Sequence, residues 1–385
     1  MATNLNKFVI RTLACFTLWA LFSYSAVAQD PDSVVAVDSL LLELQRDLGA
    51  LTPSLPRQNT SRARPATNPD ISVIGDIRAL IFSEGERNFD FELHEVETAF
   101  KSVIDPFARA EIYIAAHNED GDIEFELEEA YLTTLALPHQ LQLKAGKFRS
   151  NVGKINRIHP HALPFPDIPL VYENYFGLEG LNDQGVGLSW LIPNSSFYQE
   201  VSLEITRGPH HSPSFDVAGN NRFLYTTHLK NFWDLSADAT LELGVSGLSG
   251  PNQRGMTSFL GGADLTYKWK PVRFNTYQSF TAQMEVFLSK METNDDDIST
   301  WGFYALASYQ FAGRWFFTGR FDHSDLPDDP DWNENGFSAT LTWYVTEFQK
   351  IEFGIRRRWS EHFDSMYTGV VRAVFVMGTH GAHEY

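Results

Sequence analysis

From residue 71 onward, segments of roughly 9–15 residues with two-residue hydrophobic alternation recur about sixteen times. They fall at 71–83, 89–104, 107–117, 123–137, 140–148, 184–192, 197–207 and 222–232. They continue at 235–247, 256–270, 275–291, 299–311, 314–323, 335–346, 350–362 and 368–377. The odd-numbered connections between them are the longer ones: 83–88, 117–122, 149–183, 208–221, 248–255, 292–298, 324–334 and 363–367. The even-numbered ones are mostly tight, at Asp105-Pro106, Pro138-His139, 193–196, Trp233-Asp234, 271–274, Ala312-Gly313 and 347–349. A soluble sandwich has no reason to alternate in this way, whereas a transmembrane barrel has short turns on one side and long loops on the other. The loop at 149–183 sharpens the choice, because a long structureless loop is a poor fit to a compact soluble domain. The expected fold is all-β: a transmembrane antiparallel β-barrel of about sixteen strands over 71–385, with a short periplasmic N-terminal helical and linker segment before it.

The start of the chain reads as a processing segment. Lys7 and Arg11 precede an apolar run at 12–24 that is too short for a stop-transfer helix, and Ala26-Val27-Ala28 supplies the small-x-small pattern. Residues 1–28 are therefore expected to be a signal peptide, which takes the sole cysteine, Cys15, with it. No later run has 18 consecutive apolar residues, so no transmembrane helix is expected. Acidic residues outnumber basic ones, 49 to 30, which argues against nucleic acid as a partner. In the 29–70 segment, Val37, Leu41, Leu44, Leu48 and Leu51 follow a heptad spacing. Two readings stand for 37–51: a short periplasmic coiled coil that assists trimerisation, and a transient amphipathic helix or tether. Aromatic residues cluster at segment ends, as in Tyr267-Lys-Trp269 and Thr342-Trp-Tyr344, where interface girdles would place them. A soluble core could use them as well.

Alternation also assigns faces. Val201, Leu203 and Ile205 oppose Glu200, Ser202 and Glu204. A basic residue on the lipid face near the midplane costs ~2–4 kcal/mol, so charged sets are assigned to the lumen. The resulting lumen candidates are Arg78, Arg109, Glu111, Glu129, Lys144, Glu204, Glu285, Arg320, Asp322, Arg356 and Arg358. Both signs are present, so they read either as mutually paired wall residues or as a ladder guiding solutes. Arg357 falls among apolar neighbours and is assigned to an interface. The 149–183 loop adds Arg157, His159, His161, Asp167, Glu173, Glu179 and Asp183. These form a constriction if the loop folds inward. If the loop only covers the mouth or touches a neighbouring subunit, they do not.

Imidazoles lie close in sequence at His159/His161, His210/His211 and His380/His383, and neutral imidazole suits zinc or copper. No carboxylate or thiolate stands at motif spacing beside any pair, so solvated or hydrogen-bonded histidines are the competing reading. Catalytic signals are weak. His323-Ser324-Asp325 is the only compact candidate, and adjacent strand residues face opposite ways. Phosphate-cradling and dinucleotide fingerprints are absent. No enzymatic activity and no resident cofactor are expected, zinc aside.

Several runs carry a family likeness: Phe125-Glu-Leu-Glu-Glu-Ala-Tyr-Leu-Thr, Leu143-Lys-Ala-Gly-Lys-Phe-Arg, Asn156-Arg-Ile-His-Pro-His, the run from Gly177 to Trp190, and Met377-Gly-Thr-His-Gly-Ala-His-Glu-Tyr. The chain resembles, over 71–385, an outer-membrane porin-like barrel family related in style to the phosphate-selective porins O and P. Homologues of that family are often labelled hypothetical or zinc-regulated outer-membrane receptors. The resemblance implies a channel in the bacterial outer membrane, with both termini periplasmic, that passes small hydrophilic solutes or ions. Its implied partners are outer-membrane lipids, the barrel-assembly machinery and two further copies of itself in a homotrimer. The sequence departs from two expectations. Roughly 40 residues between the cleavage site and the first strand are too few for a plug domain. No arginine–lysine ladder of a phosphate channel stands out either. The alternatives to a channel are a receptor barrel that binds a metal or metal complex, and a smaller barrel with a structural role.

Overall fold

A computed structural model describes residues 69–83, 88–119, 122–193, 196–208, 212–216 and 222–378. The signal-peptide and coiled-coil assignments fall outside these residues, as do His210, His211, His380 and His383.

Sixteen strands form the wall. The first eight are β1 (Asp70–Phe82), β2 (Phe89–Asp105), β3 (Ala108–Glu119), β4 (Asp122–Thr134), β5 (Leu141–Arg149), β6 (Asn182–Leu191), β7 (Tyr198–Thr206) and β8 (Leu224–Ser236). The second eight are β9 (Ala239–Pro251), β10 (Thr257–Trp269), β11 (Ser279–Met291), β12 (Ile298–Ala312), β13 (Trp315–Leu326), β14 (Asp329–Thr346), β15 (Gln349–Ser360) and β16 (Met366–Gly378). Every strand pairs antiparallel with its neighbours in sequence, and β1 pairs with β16 from Ser72↔Gly378 to Phe82↔Thr368. The barrel is closed, leaves no sheet edge, and brings the first and last strand ends to the same rim.

The two faces follow the alternation. Leu203 and Ile205 on β7, Val245 on β9, Leu265 on β10, Leu288 on β11 and Phe353 and Ile355 on β15 are exposed on the outer surface. Their neighbours Glu204, Ser246, Asp264, Glu285 and Glu352 are buried inside. An apolar exterior over a polar interior is the arrangement that a bilayer demands. Arg357 lies on the outside, its guanidinium 4.7 Å from the Trp359 ring centre and bonded to Ser365, as an interfacial position would have it.

Several connections differ from the sequence expectation: 117–122 is paired strand as far as Glu119↔Asp122, and the turn expected at 271–274 spans 270–278. The 324–334 stretch is not a loop: β13 and β14 pair on to Asp325↔Asn333 before turning. Trp233-Asp234 lies inside β8, which pairs with β9 as far as Ser236↔Ala239. Pro138-His139 is not a minimal turn: β4 stops at Thr134, and a 3₁₀ turn at Pro138–Gln140 takes the chain across, with φ near +60° at His139 and Gln140. At 324–334 and Trp233-Asp234 the polar residues that read as loop are strand residues projecting beyond the apolar belt.

The 150–181 connection enters the barrel. It carries one helix, α1 (Leu170–Phe176), whose Leu170, Val171, Tyr172, Tyr175 and Phe176 are buried. Val171, Tyr172, Tyr175 and Phe176, with Val152, Ile155, Leu163 and Phe165, build an apolar core inside the lumen against Phe215, Leu248, Leu260, Phe287, Tyr304 and Leu306. Phe287 meets Tyr172 and Phe176 edge-on, both at 5.4 Å between ring centres. The helix packs closely because Gly302 lies beneath it: a Cβ there would stand 2.8 Å from Val171 Cγ2.

The outer belt is tested by a charge. Val245→Arg, in mid-strand on β9, is expected to lower the folding free energy in lipid vesicles by about 2–4 kcal/mol, read from denaturant titration. The same change in a soluble sandwich would cost far less on an exposed face.

Candidate functional site: the lumen and its inserted loop

The loop is held to the wall on nearly every side, and most of the ties are charged. Asn156 closes its neck, donating to the Ser150 and Leu181 carbonyls at 2.8 and 3.0 Å and accepting from the Leu181 amide at 2.9 Å. The Asn151 amide donates to Glu204 at 3.0 Å and the Lys154 amide to Glu285 at 2.9 Å. Tyr172 donates to Glu285 at 2.7 Å, and Lys154 Nζ meets Glu242 at 2.7 Å. Gly153 has φ +56°, and a Cβ there would stand 2.0 Å from Glu285 Oε2 and 2.4 Å from the Tyr172 hydroxyl, so only glycine fits.

On the β13–β16 side the wall is basic and the loop answers with acids. Arg320, buried over the Phe165 ring at 4.4 Å, bonds Asp167 at 2.7 Å and Asp322 at 2.9 Å. Arg356 reaches Asp167 at 3.3 Å and Glu173 at 3.6 Å. Arg358 bridges Glu173, at 2.9 Å, and Glu334. Arg372 joins Asp76 at 2.7 Å, Glu352 at 3.2 Å and the Pro160 carbonyl at 3.1 Å. Arg78 also bonds Asp76, at 2.8 Å. Burial would push the Asp167 carboxyl up, but Arg320 and Arg356 outweigh it and hold it below the ordinary carboxylate range. These cations are wall residues paired with carboxylates, one of the two arrangements open from sequence.

Free volume lies on the β1–β5 side. A cavity of about 610 Å³ runs from Asp70 and Val103 near one rim to Arg149 and Ala162 at the loop. Six cations line it (Lys101, Arg109, Lys144, Arg149, Lys154 and Arg157) against four carboxylates (Asp70, Glu97, Glu111 and Glu129). Lys101 and Arg109 share Glu111, at 4.0 and 3.2 Å. Lys144 instead lies over the rings of Tyr131 and Phe148, at 4.6 and 5.3 Å, with no carboxylate within 4 Å among the described residues.

His159 reaches the wall at the head of this cavity. Its Nε2 is 2.9 Å from Glu129 Oε1. Its Nδ1 is 2.9 Å from Glu97 Oε2 and 3.2 Å from Glu128 Oε2. The ring stacks on Tyr113 at 4.7 Å and on His161 at 5.6 Å. Burial alone would push the His159 imidazole down, but the charge of Glu97 and the contacts with Glu128 and Glu129 raise it well above its ordinary value.

The sequence candidates thus separate. Arg109, Glu111, Glu129, Lys144, Arg157, His159 and His161 line the cavity. Glu204, Glu285, Arg320, Asp322, Arg356 and Arg358, with Asp167 and Glu173, anchor the loop. Arg78 pairs within the wall. Asp183 lies on β6 beside the neck, and its side chain accepts from the Gln184 amide. Glu179 is not among the residues lining the cavity; it is 59% exposed and pairs with Arg149 at 3.8 Å. Alternation missed Glu95, Glu97 and Glu128. Two β-bulges explain why. The register slips between Asp76 and Ile77, leaving His94 unopposed, and between Tyr113 and Ile114, leaving Glu128 unopposed. After Leu93 and Leu127, which face out, the next two residues on each strand turn inward. The usable signal was Glu128-Glu129 itself, since one of two adjacent strand charges would otherwise face lipid.

No family model matches the chain. An uncharacterized protein of Aquifex aeolicus is 26% identical over 343 residues, covering 77% of this chain and 70% of its own length. Among solved structures, the anion-selective porin of Comamonas acidovorans superposes with a TM-score of 0.58 at 8% identity, over 80% of this chain and all of that one. The trimer form of Vibrio cholerae OmpT gives 0.55 at 7%, with the same coverage. The outer-membrane channel DcaP of Acinetobacter baumannii gives 0.55 at 11%, over 82% and 99%.

The charged anchoring can be tested at its centre. Arg320→Met leaves the buried Asp322 without its ion-pair partner and the half-buried Asp167 with Arg356 alone, and is expected to cost about 3–5 kcal/mol in denaturant titration. The triple change that also replaces both aspartates by asparagine should recover most of that loss. At this level of resemblance the neighbours establish one thing: the chain has the closed sixteen-strand barrel of the outer-membrane porins.

Proposed function

We propose that this protein is a passive diffusion channel of a bacterial outer membrane, narrowed by the loop at 149–183. The observation that carries the reading is the inserted loop together with the cavity it leaves along β1–β5. A chain that only sealed the barrel would have no need of a water-sized path lined by cations and carboxylates. The lining favours small hydrophilic anions: Lys144 has no carboxylate within 4 Å among the described residues, and six cations stand with four acids around the cavity, Lys154 and Arg149 also pairing with Glu242 and Glu128 outside the lining. The whole chain is acidic, so the selectivity lies in the placement of charge and not in its total. The structural likeness to an anion-selective porin supports the same reading, and the trimeric OmpT structure supports a homotrimer. Export by the 1–28 segment, folding by the barrel-assembly machinery, lipid contact along the outer belt and periplasmic termini complete the proposal. The Comamonas porin and the DcaP channel support a channel over a metal receptor.

Single-channel recording in planar bilayers tests the proposal. The wild type should conduct, and Lys144→Glu with Arg157→Gln should lower the anion-to-cation permeability ratio by roughly threefold or more, read from reversal potentials in a salt gradient. Gly153→Val, which cannot seat the loop, should raise the unit conductance. A folded, heat-modifiable wild type that passes no ions would end the channel reading.

A further inference from the structure

The head of the cavity holds a group of side chains that the channel reading does not require. Glu97 and Glu95 come from β2, Glu128 and Glu129 from β4, and His159 and His161 from the loop. All six are less than 15% exposed in the side chain or residue as a whole. Glu97 Oε2, Glu128 Oε2, Glu95 Oε1 and His159 Nδ1 are buried atoms without a hydrogen bond. The close approaches of Nδ1 to Glu97 and Glu128 are ion-pair contacts in which two carboxylates share one imidazole nitrogen. Such a concentration of unsatisfied buried polar atoms needs a partner.

We propose that Glu97, Glu128, His159 and His161 form a binding site for a first-row divalent cation, with zinc the best match, that ties the inserted loop to strands β2 and β4.

Geometry is the first argument. Four ligands about 2.0–2.1 Å from a tetrahedral zinc stand about 3.3–3.4 Å from one another. The edges here are 2.9 Å from His159 Nδ1 to Glu97 Oε2, 3.2 Å from His159 Nδ1 to Glu128 Oε2, and 3.6 Å from His161 Nδ1 to Glu97 Oε2. Glu97, His159 and His161 present one ligand atom each within 4.8 Å of one another, and so do Glu95, Glu97 and Glu128.

The second argument is the orientation of His159. Its Nε2 faces Glu129 Oε1 at 2.9 Å, so an Nε2 proton is donated outward and the Nδ1 lone pair is aimed at Glu97 and Glu128. A carboxylate on the far nitrogen of a ligand imidazole fixes its tautomer and raises its basicity. Glu129 is in this sense a positioning residue, and Glu95 is a reserve acceptor on the β2 side.

The third argument is charge. Four buried carboxylates, Glu95, Glu97, Glu128 and Glu129, gather here, and the one guanidinium beside them, Arg149, stands 3.7 Å from Glu128. A divalent ion would add two positive charges to this acid-rich pocket. Mixed nitrogen and oxygen ligands favour zinc over calcium or magnesium. The bulges that turn Glu95 and Glu128 inward have a use in this arrangement, as bulges near sites commonly do.

The test uses the full mature chain, folded in detergent, stripped with chelator and desalted, then titrated with zinc chloride and assayed for bound zinc. One tight equivalent is expected. His159→Ala with His161→Ala, and separately Glu97→Gln with Glu128→Gln, should weaken it at least 100-fold, and Glu129→Gln about 10–100-fold. Folding of each variant is checked by heat-modifiable migration, and His210→Ala with His211→Ala should keep the tight equivalent. A wild type that binds no zinc overturns the proposal, as does tight binding unchanged in both double variants or calcium bound in preference to zinc. Because no bilayer is involved, the outcome is independent of whether the barrel conducts.

Discussion

Closure of the backbone ladder between β1 and β16 is the constraint on which the rest of this structure depends. In lipid every unpaired amide and carbonyl would cost several kcal/mol, so the sheet has to end on itself. Eleven register pairs, Ser72↔Gly378 through Phe82↔Thr368, accomplish this. Once the sheet is closed, each strand has one face toward lipid and one toward an enclosed space. The apolar belt and the polar interior then follow from two-residue alternation alone.

The enclosed space brings a second problem. A lumen lined by Glu204, Glu285, Asp322 and Arg372 cannot be filled by an ordinary apolar segment without stranding those charges. The inserted loop resolves this unevenly. Toward β7–β13 it is largely apolar, and there its polar contacts are mostly backbone amides and tyrosine hydroxyls set on wall carboxylates, as at Glu204 and Glu285. Toward β13–β16 it supplies Asp167, Glu173 and a bare carbonyl at Pro160 to wall cations. Toward β1–β5 it leaves a cavity, at whose head His159 reaches Glu97, Glu128 and Glu129. The division of the lumen into a packed side and an open side is thus a consequence of where the loop finds partners.

Much of this was legible in the sequence. All sixteen strands were placed within a few residues, because a belt exposed to lipid enforces alternation more strictly than a soluble core does. The 149–183 loop stood out by length. Glu285, Arg320 and Asp322 could be assigned to the interior because a charge on the lipid face is expensive. What remained hidden was pairing between distant positions. His159 and His161 had no carboxylate neighbour in sequence, and their neighbours in space come from 97, 128 and 129. The extended β13–β14 hairpin was also obscured, since its polar tip at 324–334 has the composition of a loop while its backbone pairs as strand.

The bulges mark the point where local reading fails for a physical reason. Alternation presumes one residue on each strand opposite one on the next, and a bulge breaks that count. Around the charged cage the count breaks twice, on β2 at His94 and on β4 at Glu128, strands that both flank β3. The consequence is local: after an outward leucine two successive residues turn inward, so that Glu95 and Glu97 on β2 and Glu128 and Glu129 on β4 all face the lumen. Carboxylates are thereby concentrated at the one height where the loop inserts His159. Regular pleating would have spaced inward side chains two residues apart along each strand and kept this density of charge out of reach. The irregularity, rather than the regular barrel, is what makes a charged cage between loop and wall geometrically available.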